Sequence, residues 1–313
     1  AVTPAFRAKA AIAQAWMPNL AATTYDPRFM PLDVKSAVTM GMGMTEKQGG
    51  SDVRANTTRA EFDSDTAWGR AYKLTGHKWF FSAPMCDAFL VLAQTPAGLS
   101  CFFVPRFNPD GSINPIGIQR LKDKLGNHAN ASSEVEFGGD VSAWLVGDEG
   151  RGVPQILAMG ALTRLDCALG TAGLMRSALS IAIHHTRQRM AFGKTLAEQP
   201  LMKNVLADLA VESEAATALA LRLAKAIDAS ESGQDEHESI MRRVLTPIAK
   251  FWICKRGAMF AQETMECLGG NGYVEDFHLA RAYREAPVNA IWEGSGNVMA
   301  LDVVRVATRE PEI

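Results

Sequence analysis

The feature of this chain that most limits its fold is a change of pattern near residue 150. From there to the end, apolar residues recur at the three-and-four spacing of amphipathic helices, with few breakers. Helices of this kind bury one face against each other and form bundles. The pattern predicts a C-terminal domain of about four helices. Ser295 or Asn297 is the expected cap of the last helix, "SGNVMALDVVRVATR".

The segments before residue 150 have a different character. Between residue 40 and about residue 146 they are short, rich in β-branched and aromatic residues, and bounded by Gly, Pro, Asn and Asp. Such runs are typical of strands, and "AFLVLAQ" and "LSCFFVPRF" are clear examples. A helical stretch and a proline-containing linker precede them.

The predicted fold class is therefore α+β and multidomain. Residues 1–39 are the remnant of an N-terminal helical domain, residues 40–148 form a middle β-sheet or barrel domain, and residues 149–313 form a C-terminal four-helix bundle.

Composition narrows the function classes. The chain has 313 residues and a formal net charge of -2. It therefore lacks the overall positive charge that attracts a protein to nucleic acid or to an anionic membrane, although a local basic patch remains possible. The five cysteines are widely spaced and mostly lie among apolar residues, which is typical of reduced thiols in a cytosolic protein. No apolar run approaches the ~20 residues of a membrane span. These features favour a cytoplasmic location and no membrane partner, and no pattern predicts a metal site.

The stretch "GMGMTEKQGGSDV" combines glycines and hydroxyls with two carboxylates, Glu46 and Asp52. Glycines suit a phosphate-binding loop, but this stretch is acidic. For both carboxylates we favour hydrogen bonds that hold the turn or cap it.

A second glycine-containing loop, "IWEGSGN", carries a single carboxylate, Glu293, after Trp292 and just before a helix. Beside an aromatic wall this carboxylate could act as a general base. Without further context, the loop favours the simpler interpretation, a loop glutamate that is stabilised by the dipole of the following helix. The residues of this loop alone leave both interpretations open.

Five motifs together extend the interpretation beyond single loops. Their order along the chain, and the β-to-α change between the second and the third, are similar to those of the acyl-CoA dehydrogenase family. The resemblance covers residue 40 to the end and implies flavoenzymes with an α-helical, a β and a second α-helical domain. The individual residues of these motifs resemble those of the AidB-like branch, which is linked to the bacterial alkylation response. The motifs are "MTEKQGGSDV", "GHKWFFS", "RQRMAFGKTL", "ECLGGNGY" and "YREAPVNAIWEGSGN".

The resemblance implies that FAD lies between the β domain and the C-terminal helices. Two segments match those that line the flavin ring. The second keeps the aromatic wall over the flavin face as Phe80 and a short hydroxyl near flavin N5 as Ser82. Lys47 and Gln48 stand where the family usually has Pro-Gly, which puts the shape of the first segment in question. For the second segment a β-core aromatic pair is the alternative. The implied contacts are Met44, Thr45, Gly50, Ser51, Phe80, Phe81 and Ser82.

Further positions match the FAD phosphate and ribose contacts. Arg189 and Phe192 match a helix end that reaches the FAD of a neighbouring subunit, and Gln199 matches the family's glutamine. The family therefore implies a homo-oligomer, a dimer of dimers, with cofactor sites built between chains. A solvated basic helix end is the alternative for Arg189. Gly269 and Gly270 match the diphosphate and ribose contacts.

Glu293 matches the catalytic base of the family, which implies α,β-dehydrogenation of an acyl-CoA thioester with hydride transfer to flavin N5. Asp166, next to the matched Arg164, is unfavourable beside a long fatty tail, so we expect a short or branched acyl group or a weak activity. No motif identifies the electron acceptor. The implied substrate contacts are Ser51, Arg164, Trp292 and Gly294, and Ser295 and Asn297 are implied FAD contacts.

A different class of function stays open: a flavin-containing, DNA-binding alkylation-response protein whose dehydrogenase activity is weak or vestigial. In the AidB-like branch DNA binding belongs to a C-terminal region that would follow "VRVATREPEI". The family's N-terminal helical domain is also longer than the 39 residues that precede the β domain. We therefore expect the chain to be a fragment or a partial structure, and DNA binding only through the C-terminal region.

Overall fold

The computed structural model describes residues 3–231 and 235–309. The chain forms two compact units. Unit 1 comprises residues 1–124 and 128–160, and unit 2 comprises residues 125–127 and 161–313. The division between the units falls inside a helix, and the N-terminal helices belong to the same unit as the sheet.

Unit 1 is a seven-stranded sheet with two short helices at its N-terminal end. The helices are α1 (Pro4–Arg7) and α2 (Ala10–Leu20). The strands are β1 (Met40–Thr45), β2 (Arg59–Thr66), β3 (Gly69–Ser82), β4 (Ala88–Thr95), β5 (Gly98–Pro105), β6 (Gly117–Leu121) and β7 (Ser132–Val146).

The sheet closes on itself, as the barrel alternative predicts. Successive pairings link β1 to β4, β4 to β5, β5 to β7, β7 to β3, and β3 back to β1. Side chains alternate between the two faces because successive residues of a strand point to opposite sides. Leu90 and Leu92 pack with Trp16 of α2 on one face, whereas Phe89 and Val91 pack in a second core on the other.

Two features of this sheet escape the sequence pattern. β2 is almost entirely exposed and polar, "RAEFDSDT", so it lacks the apolar alternation of a half-buried strand. The glycines of β1 are required by close packing rather than by a turn. A Cβ at Gly41 would lie 2.5 Å from the Ser82 carbonyl oxygen, and a Cβ at Gly43 would lie 2.5 Å from the Phe81 ring.

Unit 2 is helical, with one small hairpin. α3 (Gly152–Gln188) begins in unit 1 and continues into unit 2. The sequence pattern predicts about four helices but misses α7. The remaining elements are β8 (Met190–Ala191), β9 (Lys194–Thr195), α4 (Pro200–Glu231), α5 (Glu236–Leu268), the single turn α6 (Gly270–Tyr273), α7 (His278–Asn289) and α8 (Gly296–Arg309).

The core of unit 2 consists mainly of alanine, leucine and isoleucine side chains, including Ala168, Leu179, Leu223 and Ile253. Small residues allow the long helices to approach closely. Over the described residues, no helix combines the length and the apolar character that crossing a membrane requires.

Candidate active site

The loop between α7 and α8 carries Glu293, which is half-buried. Its backbone has φ 57°, and Gly294 has φ 100°. For a residue with a side chain this left-handed conformation costs about 1–2 kcal/mol, so neighbouring contacts must hold it. Ser295 occupies the position before α8, as predicted for a cap, whereas Asn297 is the second residue of the helix and cannot cap it.

The Glu293 carboxylate is held by a hydroxyl group from α3. Thr163 Oγ1 donates to Glu293 Oε2 at 2.8 Å. This hydrogen bond engages one carboxylate oxygen. Among the described residues, Oε1 accepts no hydrogen bond, so the second oxygen remains available to a substrate.

Arg164, the residue after Thr163, holds the backbone of the same loop. Its Nε donates to the Glu293 carbonyl oxygen at 3.0 Å, and another guanidinium nitrogen pairs with Asp302 of α8 at 3.0 Å. Asp302 also accepts from Arg305 at 2.6 Å. The structure therefore gives Arg164 a role in fixing the loop, and its predicted contact with substrate stays a prediction.

Lys250 of α5 holds the loop from another side. Its side chain is buried, and its Nζ donates to the carbonyl oxygens of Asn289 at 3.1 Å and Gly294 at 2.6 Å. Burial lowers the pKa of the Lys250 ammonium from its ordinary value. Neighbouring thiol and carboxylate groups, Glu293 among them, act in the opposite direction.

Trp292 is anchored through its indole rather than left free to turn. Its Nε1 donates to Asn289 Oδ1 at 3.1 Å, and Asn289 Nδ2 donates to Thr171 Oγ1 at 3.0 Å. Asp166, expected near the substrate, lies on α3 with an exposed side chain. It follows Thr163 by three residues and therefore lies on a neighbouring part of the same helix face.

Sequence reasoning misses three residues of this site: Thr163, Lys250 and Asp302. Lys250 carries the clearest signal, because it is a lone cation in the apolar helical stretch "TPIAKFWIC". Thr163 is adjacent to the matched Arg164 but has no distinguishing pattern. Asp302 is distant in sequence and is brought to Arg164 only by packing.

In unit 1, the segment predicted to face the flavin ring lies at the end of β1 and in the turn after it. Met44 and Thr45 are half-buried, and Gly50 and Ser51 are exposed. A Cβ at Gly50 would lie 2.7 Å from Thr45 Oγ1. The glycine therefore lets the turn fold back onto β1.

The Lys47-Gln48 step, where the chain departs from the family pattern, is held by its own hydrogen bonds. The Lys47 N–H donates to His77 Nε2 at 3.2 Å, a bond that the family's usual proline cannot make. Gln48 Nε2 donates to Asn56 Oδ1 at 2.8 Å, and Asn56 Nδ2 donates to the Met44 carbonyl oxygen at 2.8 Å. The shape of this loop is thus set by the hydrogen bonds of the Lys47 backbone, Gln48 and Asn56.

Glu46 is fully buried and forms a 2.7 Å ion pair with the fully buried Lys78. It also accepts hydrogen bonds from the backbone of Thr57 at 2.6 Å and Thr58 at 3.1 Å. Burial alone would raise the pKa of the Glu46 carboxyl, but Lys78 and these hydrogen bonds outweigh burial and lower it. Glu46 therefore holds the turn, as predicted, through a buried ion pair that the sequence does not reveal. The Asp52 side chain forms no capping hydrogen bond, contrary to the prediction.

The second predicted flavin segment places its two phenylalanines in different surroundings. β3 has a β-bulge between Lys78 and Phe81, and the extra residue lets both side chains face the interior although they are three apart. Phe81 is fully buried and packs on Phe89, with ring centroids 4.3 Å apart. Its side chain cannot form a flavin wall, so any cofactor contact is limited to its backbone. Phe80 is 47% exposed and Ser82 is half-buried.

In unit 2, the predicted phosphate-side residues lie at and beyond the end of α3. β8 and β9 form a hairpin whose two turn residues, Phe192 and Gly193, have φ 53° and φ 75°. This is a type I′ turn, which normally favours Asn-Gly. Phe192 is 98% exposed, and the Arg189 side chain is also exposed. Gln199 donates its amide to the Ala191 carbonyl oxygen at 3.0 Å and thereby braces the hairpin.

The other predicted phosphate contact follows α5. Gly269 has φ 61° and ψ -138°, a conformation open only to glycine, and both Gly269 and Gly270 are exposed with free space around their backbone. Such a turn permits close approach of a ligand. Elsewhere on α5, Arg256 pairs with Glu212 and Arg242 donates to Ser230, so both arginines have partners within the chain.

The residues in each unit fit a flavin nucleotide. Unit 1 offers exposed aromatic surface at Phe80 and a hydroxyl at Thr45, and unit 2 offers the exposed Arg189 guanidinium and the open Gly269–Gly270 backbone. Comparison with protein families matches residues 41–139 to the acyl-CoA dehydrogenase middle domain and residues 150–308 to the acyl-CoA dehydrogenase C-terminal domain. The chain therefore belongs to the acyl-CoA dehydrogenase family, which uses FAD.

Within this family the chain is AidB-like. It is 56% identical over 297 residues to AidB of Escherichia coli (strain K12), which is 95% of this chain and 53% of that protein. It is 36% identical to acyl-CoA dehydrogenase family member 11 of Caenorhabditis elegans, over 93% of this chain and 48% of that protein. The chain thus spans about half the length of these curated relatives.

Solved structures agree on the fold. The structure titled Bd2924 apo-form matches with a TM-score of 0.88 and 35% identity, over 98% of this chain and 61% of that chain. The structure of Caenorhabditis elegans ACDH-11 in complex with C11-CoA matches with a TM-score of 0.81 and 37% identity, over 87% of this chain and 47% of that chain. The predicted fold, with an N-terminal helical part, a middle sheet domain and a C-terminal helical domain, is confirmed.

Proposed function

We propose that the protein is an FAD-dependent acyl-CoA dehydrogenase in which Glu293 is the catalytic base. The observation that carries this proposal is the fixed position of Glu293, whose carboxylate is bound by Thr163 at 2.8 Å and whose loop is bound by Arg164 and Lys250. A carboxylate held in this way, with one oxygen still available, can act as a general base.

In the proposed reaction Glu293 Oε1 accepts the proton from the carbon next to the thioester carbonyl. Thr163 keeps the carboxylate in one orientation while this proton moves. FAD, when bound, supplies the oxidant that takes the hydrogen of the following carbon with its electron pair. The products are the α,β-unsaturated thioester, the reduced cofactor and protonated Glu293.

The backbone of the same residue offers a second function. Among the described residues, the Glu293 N–H has no hydrogen-bond partner. We assign it to the thioester oxygen, where a donor stabilises the negative charge that develops as the α-proton leaves. The anchored Trp292 forms an apolar aromatic surface beside this group.

The length of the acyl group depends on the side chains around Thr163 on α3. Asp166 is exposed on the Thr163 face of α3, and a long apolar chain laid over it would remove water from its carboxylate, so we favour a short or branched acyl group. The ACDH-11 relative was solved with C11-CoA, so a chain of that length belongs among the thioesters tested.

The proposal is tested by anaerobic titration of the FAD-loaded protein with short, branched and C11 acyl-CoA thioesters. We expect at least one of them to bleach the flavin absorbance and to yield the unsaturated thioester, which mass spectrometry identifies by its loss of two hydrogens. A flavin spectrum that remains oxidised with every thioester would contradict the proposal.

We further propose that Phe192 contacts the cofactor in a neighbouring subunit of a homo-oligomer. The support is its strained left-handed backbone combined with 98% exposure, because no contact within the described part of the chain accounts for an aromatic side chain at the tip of a type I′ hairpin.

The variant Phe192→Asn separates these two properties. Asparagine relieves the backbone strain, so the melting temperature of the cofactor-free protein should be unchanged or higher. The loss of the aromatic ring should weaken FAD binding by about tenfold, a 1.4 kcal/mol effect on the scale of one aromatic contact. Fluorescence titration with FAD measures the affinity. Unchanged affinity in Phe192→Asn would remove the proposed role.

A further inference from the structure

Two consecutive carbonyl groups of the Glu293 turn are bound by cations from two different helices. Arg164 of α3 binds the carbonyl oxygen of Glu293 at 3.0 Å, and Lys250 of α5 binds that of Gly294 at 2.6 Å. Arg164 is further braced by Asp302. The turn therefore lies between two fixed positive charges.

Lys250 is the less expected of the two cations. Its side chain is only 2% exposed, and burial of an ammonium group is unfavourable unless strong acceptors replace water. Its acceptors are both backbone carbonyls. One belongs to Asn289, the last residue of α7, where the helix dipole favours a positive charge, and the other to Gly294.

The contact with Gly294 has consequences for the whole turn. Residues 3–231 and 235–309 contain no cis peptide bond, so in this turn each N–H points away from the carbonyl of the same planar peptide group. Holding the carbonyls of Glu293 and Gly294 toward the cations directs the N–H groups of Gly294 and Ser295 to the opposite side. It also holds the positive φ angles of Glu293 and Gly294.

We propose that Lys250 is a positioning residue for Glu293: by tying the end of α7 to the carbonyl of Gly294, it fixes the direction of the Glu293 carboxylate and of the backbone donors beside it. Lys250 touches neither substrate nor cofactor in this proposal. The inference deepens the proposed dehydrogenase function and rests on it for its kinetic consequences. The clamp, meaning the hydrogen bonds from Lys250 to the carbonyls of Asn289 and Gly294, can be tested separately.

The test compares Lys250→Met, which removes both the donor and the charge, with Lys250→Gln, which keeps a neutral donor. The exposed Lys225→Met on α4 is the matched control. In the FAD-loaded protein, stopped-flow measurement gives the limiting rate of flavin reduction and the apparent dissociation constant of the acyl-CoA. Hydrogen exchange gives the mobility of residues 289–299 without any turnover.

For Lys250→Met we expect the limiting reduction rate to fall about 100-fold, as for a catalytic group displaced by roughly 1 Å, with the dissociation constant changed by less than about threefold. Amide exchange should accelerate in residues 289–299. Lys250→Gln should recover part of the rate, and Lys225→Met should match the wild type.

Two results would overturn the inference. One is a wild-type reduction rate in Lys250→Met. The other is unchanged amide exchange across residues 289–299 in Lys250→Met, which would reject the clamp even if no thioester reduced the wild-type protein. The two proposals can also fail separately. If no thioester reduces the wild-type flavin but amide exchange in Lys250→Met accelerates only in residues 289–299, the clamp is supported and the dehydrogenase proposal fails. If Lys250→Met does not fold, the exchange of Lys250→Gln decides the question in the same way.

Discussion

The variant Glu293→Gln should retain bound FAD and lose reduction of the flavin by acyl-CoA. Glutamine keeps the size of the side chain, and its amide oxygen can still accept the hydrogen bond from Thr163 at the position of Glu293 Oε2. An amide cannot accept the α-proton, so the loss should reach the full contribution of a general base, about 10²–10⁴-fold or more. Stopped-flow absorbance of the flavin under anaerobic conditions measures the rate.

The control for this prediction is Glu198→Gln, because Glu198 is an exposed carboxylate that caps the turn after the β8–β9 hairpin. In this variant acyl-CoA should reduce the flavin at the wild-type rate. If Glu293→Gln reduces the flavin as fast as the wild type does, Glu293 is not the base, even if the protein is a dehydrogenase. A Glu293→Gln protein that does not bind FAD would show instead that the loop supports the cofactor site.

The buried ion pair between Glu46 and Lys78 gives the largest expected effect on stability. Removing one member of such a pair leaves an uncompensated buried charge, which typically costs about 3–5 kcal/mol of the free energy of unfolding. The cost should be asymmetric. Glu46 keeps the hydrogen bonds from Thr57 and Thr58 in Lys78→Met, whereas Glu46→Gln removes the carboxylate that pairs with the Lys78 ammonium.

We therefore expect Glu46→Gln to be more destabilised than Lys78→Met in urea unfolding at neutral pH. The double variant should recover most of the loss, because replacing both charges is often close to neutral. Arg70→Met serves as the control, since the Arg70–Glu149 pair is partly exposed and should contribute less than about 1 kcal/mol. Equal losses in both single variants, or a double variant no better than the worse single one, would contradict this account.

The pH dependence of Glu46→Gln follows from the same pair. Burial lowers the pKa of Lys78 from its ordinary value of 10.5, and Glu46 normally opposes that effect. Without Glu46, the folded protein favours the neutral amine while the unfolded chain still binds the proton. In the wild type the Lys78 pKa is about 8, and without Glu46 it falls further. The stability of Glu46→Gln relative to wild type should therefore rise as the pH increases to about 8 and level off above it, because the folded wild type then also loses this proton.

Several properties of this protein follow from local sequence patterns. The change from β-type segments to helical periodicity near residue 150 is correct because it depends on side-chain spacing within single elements. The family motifs locate Glu293 and the glycine turn at Gly269, since each is a short contiguous stretch with unusual backbone requirements. The strand β2 escapes this reasoning because it is almost entirely exposed and polar, and the helix α7 because it is short, mostly polar and contains Pro287.

Other properties depend on contacts between distant segments. A bulge in β3 turns Phe81 into the core and leaves Phe80 outside. The family motif assigns the flavin wall to Phe80, but the apolar pattern of the strand by itself does not distinguish the two phenylalanines. Lys250 is 43 residues from Glu293 in sequence, yet packing of α5 against the α7–α8 loop makes it a clamp on that residue's turn.

The sequence by itself determined the element types, the family and the position of the candidate base, because these depend on short-range spacing and on motif order. Only the tertiary structure decided that Thr163, Arg164 and Lys250 hold Glu293 and its loop, and that a buried Lys78 pairs with Glu46. The physical reason is that burial and hydrogen bonding are pairwise properties of groups far apart in the chain, and they exist only after the helices and strands have packed.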